Sequence, residues 1–153
     1  MKYSEIKNST AYKQDRNCCT VTCSSIVFNI PFEEMQIYFS EEIGRKRNKG
    51  VRFTNETVQK VATNFGYNAE EIPAYKIKND GYLTPNNVNQ YLAEGVYILG
   101  CRGHVLALKN GNVEDWTNGR KHRITRIWKV EKVGKKVKRL TFDQEFKKRK
   151  SYF

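Results

Sequence analysis

In Gly103-His104-Val105-Leu106-Ala107-Leu108-Lys109-Asn110-Gly111-Asn112-Val113-Glu114-Asp115-Trp116, an apolar run opens on a histidine, meets Asn-Gly, and is answered by a second run that ends beside an aspartate. Asn-Gly is a strong two-residue hairpin signal, because both residues tolerate positive φ. With Asn110 and Gly111 as the turn, Lys109 faces Asn112, Asp115 comes opposite Leu106, and His104 lies near Thr117. Side chains alternate along a strand, so His104 and Asp115 become diagonal neighbours on one face. A carboxylate placed there can hold one imidazole nitrogen and leave the other free.

Strand-like segments flank this hairpin. Residues 96–101 form an apolar run before it, and residues 123–130 alternate cleanly after it. Upstream the period changes. Cys19, Cys23, Ile26, Val27 and Ile30 recur at i, i+4, i+7, i+8 and i+11, which is one face of a helix. Asn17 is its expected N-cap and Pro31 its end. A helix over 32–43 follows, with Phe32, Met35, Phe39 and Ile43 as a stripe, Glu33 and Glu34 in the first turn, and Gly44 as the stop. Thr54 or Asn55 caps a third helix, with Val58, Val61, Ala62 and Phe65 on its apolar face. Thr84-Pro85 opens a short fourth over Val88, Tyr91 and Leu92. Helices first and strands second predict an α+β architecture, with N-terminal helices packed on a C-terminal antiparallel β-meander.

The residues that carry chemistry sit at the ends of these elements. Cys19 begins the first long helix, where free backbone N–H groups and the dipole favour a thiolate. Only the thiolate is a good nucleophile. His104 is its expected base and Asp115 the residue that orients the base. Acyl transfer also needs donors for the developing oxyanion, and the Cys19 N–H at the helix start is one.

This order resembles the papain-like cysteine peptidase and amidase superfamily, and more closely its small single-domain members from bacteriophages and bacteria. Their opening motif, roughly Asn-Asp-Cys leading into a helix and then a Tyr/Phe-Glu-Glu turn, is matched by Asn17-Cys18-Cys19-Thr20-Val21-Thr22-Cys23-Ser24-Ser25-Ile26 and Pro31-Phe32-Glu33-Glu34-Met35. Their second motif, Gly-His followed by a strand, a turn and an Asp, is matched by the hairpin from Gly103 to Trp116. Cys18 stands where the family carries an acidic or polar residue, so two thiols adjoin; helical register favours Cys19. The resemblance implies a papain-like fold, a Cys19–His104–Asp115 triad, and cleavage of a peptide or amide bond without a cofactor; with water as acceptor this is a peptidase or amidase, with an amine an acyl transferase, and the sequence does not choose between them. It also implies a side-chain amide upstream of the nucleophile as a second oxyanion donor, for which Gln14 is placed best and Asn17 next.

Bulk properties bound these readings. A chain of 153 residues with 39% hydrophobic and 29% charged content has the balance of one globular domain that folds without disulfides or metals. That domain is expected over residues 1–130, with a basic extension over 131–153. No apolar run approaches a membrane span and the N-terminus is polar, so no membrane contact and a cytoplasmic location (the host cytoplasm for a phage-encoded protein) are expected. All four cysteines (Cys18, Cys19, Cys23, Cys101) are then thiols. Cys-x3-Cys without a second knuckle is a poor zinc signature, so no metal is expected. Phosphate loops and dinucleotide fingerprints are absent.

The net charge is +12, and from Lys129 onward ten basic residues face three acidic ones. The segment Lys129 to Lys150 is either a solvated tail or a footprint for nucleic acid or another acidic partner. This supports the alternative to an enzyme: a catalytically inactive papain-like or basic binding protein. Each site residue also has a plain structural explanation. Cys19 fits a small buried hydrophobe, His104 a satisfied structural histidine, and Asp115 a strand end. His122, in a run of basic residues, reads as exposed and inert.

Overall fold

The computed structural model describes residues 1–78 and 80–133. In chain order these form α1 (Tyr3–Lys7), α2 (Thr10–Lys13), α3 (Cys19–Val27) and α4 (Phe32–Tyr38), which continues into a π-helical turn (Phe39–Ile43). Then follow α5 (Asn55–Asn64), β1 (Tyr67–Pro73), α6 (Ala74–Ile77), a 3-10 turn (Val88–Gln90), β2 (Val96–Cys101), β3 (His104–Lys109), β4 (Asn112–Glu114) and β5 (Ile124–Lys132). The architecture is α+β, with helices ahead of a five-stranded antiparallel sheet.

Local chemistry explains the boundaries. The Thr54 hydroxyl accepts from the Thr57 N–H at 3.2 Å and starts α5. Gly44 takes φ +85° and ends the α4 helix–π turn. Asn110 and Gly111 take φ of +50° and +81°, which closes the hairpin in the expected register: Lys109 pairs with Asn112 and Leu108 with Val113. A Cβ on Gly111 would lie 3.1 Å from the Ala93 carbonyl oxygen. Gly111→Ala therefore combines a disfavoured φ with a tight backbone contact. It is expected to lower stability by about 1–3 kcal/mol in chemical denaturation.

The sheet order is β1-β5-β2-β3-β4. Strands β2 to β4 are a meander, as expected, but β5 leaves it. After β4 the chain crosses back, and β5 inserts between β2 and β1. Strand β1 buries one residue, Ala69, and is formed by its pairing with β5, from Tyr67 opposite Lys132 to Pro73 opposite Arg126. That pairing takes β5 past the expected domain end at residue 130. The remainder of the basic extension, residues 134–153, lies outside the described residues.

Two cores sandwich the sheet. On one face Val105, Ala107, Ile98 and Trp128 meet Val21, Ile26, Phe39 and Val58 from the helices. On the other, Leu99, Leu106, Leu108 and Ile127 meet Leu83, Val88 and Leu92. This second cover was expected to be a helix. The chain there is a Thr84-started turn with one 3-10 segment, in which the Thr84 hydroxyl accepts from the Asn87 N–H and the Asn87 Oδ1 accepts from the Thr84 N–H.

Helix α3 departs from the expected one-sided stripe. Every residue from Thr20 to Val27 is buried. Its small Thr, Ser and Cys side chains let it sit centrally against β3, and among the described residues the Thr20, Ser24 and Ser25 hydroxyls find no hydrogen-bond partner. Asn17 does not cap it: Cys18 is the N-cap, without a side-chain bond. No described helix is long and apolar enough to cross a membrane.

Candidate active site

The end of the sheet where β3 begins meets the N-terminus of α3. Asp115 follows directly on β4, opposite Leu106 by continuation of the ladder, as the hairpin register requires. His104 Nε2 and Asp115 Oδ2 are 2.8 Å apart, with side chains 13% and 5% exposed. The same carboxylate oxygen accepts from the Thr117 N–H at 3.1 Å and from the Thr117 hydroxyl at 2.6 Å. Thr117 is fully buried. Thr117 thus holds the Asp115 oxygen that meets the imidazole through two bonds. The His104 ring in turn lies 5.2 Å from that of Trp116, half of which is exposed.

With Nε2 committed to Asp115, Nδ1 is the nitrogen left for a thiol. Cys19 is that thiol. Burial pushes its pKa up, but hydrogen bonding to the His104 side chain and to the Val105 backbone, with the charge of the imidazole, brings it below the ordinary thiol value. His104 moves the opposite way. Burial disfavours its charge, yet Asp115 and Cys19 together raise its pKa to about 9. Each partner therefore stabilises the charged form of the other, which is the condition for a thiolate–imidazolium pair.

The other thiols lack this help. Burial raises Cys18, which is almost enclosed and receives a weak 3.8 Å contact from the Thr22 hydroxyl. Cys23 is fully enclosed and raised well above the ordinary value by burial. Cys101 is pushed up to about 11 by burial and then by Asp115. Of the four cysteines, only Cys19 is shifted towards the thiolate.

The cleft over these groups has a volume of about 1190 Å³, larger than a typical small-molecule site. Cys19, His104 and Asp115 line it together with Trp116, Trp128 and Phe53. Four arginines also line it: Arg16, Arg52, Arg102 and Arg126.

The two amides expected near an oxyanion fall differently. Gln14 is exposed at the end of α2 and lines a separate hollow with Glu33 and Gln36. It does not border the cleft. The short α2 turns Gln14 towards α4, and the next residue, Asp15, turns inward; proximity in sequence carries no information on that reversal. Asn17 does line the cleft, at φ +52°, with its carboxamide donating to the Asn48 carbonyl at 3.0 Å. The Cys19 N–H lies in the first turn of α3, ahead of the first intrahelical bond, from Thr22 N–H to the Cys18 carbonyl.

Two supporting groups escaped the sequence reading. Thr117 had a signal, since Asp-x-Thr places a hydroxyl and an amide within reach of the carboxylate. Asp15 with Arg45 had none, because the pair joins segments thirty residues apart. Among the described residues no three His, Cys, Asp or Glu side chains converge on a possible metal position. No family model, no curated protein and no solved structure matches this chain.

Proposed function

We propose that the protein is a cysteine hydrolase of papain-like type, acting on a peptide or amide bond. One observation carries this reading: the His104 imidazole, held at Nε2 by Asp115, is hydrogen-bonded to the Cys19 thiol at a helix N-terminus inside a wide cleft. The Cys19 thiolate attacks the carbonyl carbon and forms a C–S bond. The carbonyl π pair moves to oxygen, which the Cys19 N–H can receive at the helix start. The tetrahedral intermediate collapses, the C–N bond breaks, and imidazolium His104 gives its proton to the departing amine. His104, now neutral, takes a proton from water as that water attacks the thioester. The C–S bond breaks, the carboxylic acid leaves, and the Cys19 thiolate and His104 imidazolium are restored. Asp115 holds the ring orientation and stabilises the imidazolium throughout.

The reading is tested with a thiol-directed electrophile at neutral pH. Labelling is expected in the wild type and in Cys18→Ala, and is expected to be absent from Cys19→Ala. Equal labelling of Cys19→Ala contradicts it.

The pH dependence has a definite sign. Catalysis requires the thiolate, which forms as pH rises through a value below that of a free thiol, and the imidazolium, which is lost as pH rises past about 9. The profile of kcat/KM is expected to be bell-shaped, with its alkaline limb near pH 9; both limbs belong to the coupled pair. Asp115→Asn removes a charge that raises His104. The alkaline limb should move to lower pH, and kcat should fall by at least about 10²-fold. An unmoved limb would show that Asp115 does not act on His104.

A further inference from the structure

We infer that the cleft takes a polypeptide carrying Asp or Glu side chains beside the scissile bond, an inference that rests on the acyl-hydrolase reading above. Its basis is the charge left over on the cleft lining. Among the described residues, Asp15 and Asp115 are the acidic groups that line it, and both are committed, Asp15 to Arg45 and Asp115 to His104. Arg126 is also committed: Glu71 grips it through two bonds of 2.8 and 2.9 Å, and its guanidinium lies 4.5 Å from the Trp128 ring centroid. Arg16, Arg52 and Arg102 remain. All three are exposed, and among the described residues no carboxylate pairs with any of them.

They line the same cleft as the nucleophile. Arg16 comes from the segment that leads into Cys19, Arg52 from the segment before α5, and Arg102 from the β2–β3 turn two residues before His104. Three cations contributed by three separate segments, with no carboxylate partner among the described residues, leave positive charge on the cleft lining. Arginine presents a planar fork suited to a carboxylate, where lysine offers only a point charge. A cleft of about 1190 Å³ accommodates an extended chain with several side chains. The nucleophile at its floor requires an acyl carbon, which a polypeptide supplies at every residue and a nucleic-acid strand lacks. Trp116, half exposed beside His104, adds a flat apolar surface along the same path.

The test uses the full-length Cys19→Ala protein, which binds without turnover, and a fluorescein-labelled Glu-rich peptide with its Gln-substituted counterpart. Binding is followed by anisotropy at physiological salt. The Glu peptide is expected to bind about tenfold more tightly than the Gln peptide. Arg16→Gln, Arg52→Gln and Arg102→Gln together should remove that preference, each alone costing roughly twofold. Lys7→Gln with Lys76→Gln, exposed positions away from the cleft, should change it less than twofold. Equal binding of the two peptides overturns the inference, as does a loss in the lysine control matching that of the arginine variant. Displacement by a single-stranded oligonucleotide at lower concentration than by unlabelled Glu peptide also overturns it and assigns the three arginines to nucleic acid. A parallel measurement on wild type separates the two levels. If Cys19 labels normally while the Glu preference is absent, only the substrate class falls. If the preference holds while Cys19 is inert, the hydrolase reading falls and an acidic-peptide binding cleft remains.

Discussion

Cys19→Ala is expected to lower turnover of a peptide or amide substrate by at least about three orders of magnitude, while thermal stability changes little. Both halves of this expectation follow from the site. The thiol is the one atom placed to use the His104 imidazole, and without it no other cysteine can take over. Cys18 is adjacent in sequence but almost enclosed, with its pKa raised by burial. Cys23 is one helical turn further on, wholly inside the core. Cys19 itself is only partly buried, so trimming it to alanine opens little cavity. Cys18→Ala provides the contrast. It removes a buried sulfur and should cost about 1 kcal/mol, yet keep activity within about tenfold of wild type. The pair of variants measured on one substrate decides between the adjacent thiols. A Cys18→Ala protein that is folded but inactive would reverse the assignment.

Asp15→Asn carries the largest expected effect on stability, a loss of about 3–5 kcal/mol. The Asp15 and Arg45 side chains are 1% and 4% exposed. Arg45 binds the carboxylate through two bonds of 2.9 Å, and Gln36 Nε2 and the Asn48 N–H each donate at 2.9 Å. The Arg16 N–H adds a bond of 2.8 Å. Asparagine conserves the shape but leaves the buried guanidinium without its charge partner. The consequence reaches the site, because this hub clamps the segment leading into α3 against the loop that follows the π turn. Stability should drop and the alkylation rate of Cys19 should drop with it.

Asp15 also gives an acid-sensitive signature. Burial alone would raise its pKa, but Arg45, Asn48 and Gln36 hold it well below the ordinary carboxylate range. A carboxylate depressed in the folded state stabilises fully above its unfolded pKa, and that contribution fades as pH falls towards the folded value. Wild-type stability should therefore decline steadily below about pH 4. The Asp15→Asn protein should show a flatter decline over the same range. Parallel declines would show that another carboxylate dominates acid unfolding.

The features that were readable in sequence are those with local causes. Asn110-Gly111 specifies a turn type, the turn specifies register, and register brings Asp115 to His104. Gly44 and the Thr54 cap mark helix ends by chemistry confined to a few residues. Misplaced features depend on partners far away in the chain. Strand β1 holds one buried residue, Ala69, among exposed Glu and Asn, so its own pattern does not announce a strand; β5 makes it one. The insertion of β5 between β1 and β2 is a matter of sheet topology that no hydrophobic period encodes. Helix α3 is buried all round with Thr and Ser inside, contrary to the one-sided stripe, because the sheet and α4 enclose it. Gln14 shows the same limit on a smaller scale. Its distance before Cys19 suits an oxyanion donor, but the inward turn at Asp15, driven by Arg45, sends it to the other side of the chain.

The most direct test of the central claim is to trap the acyl-enzyme. Wild-type protein is mixed with an activated ester or peptidyl acylating substrate, quenched in acid, and mapped by peptide mass spectrometry. The account predicts a hydroxylamine-sensitive acyl adduct on Cys19, reduced at least about 10²-fold in rate in His104→Ala and absent from Cys18, Cys23 and Cys101. An adduct on Cys18, or acylation of Cys19 at an unchanged rate in His104→Ala, would contradict it.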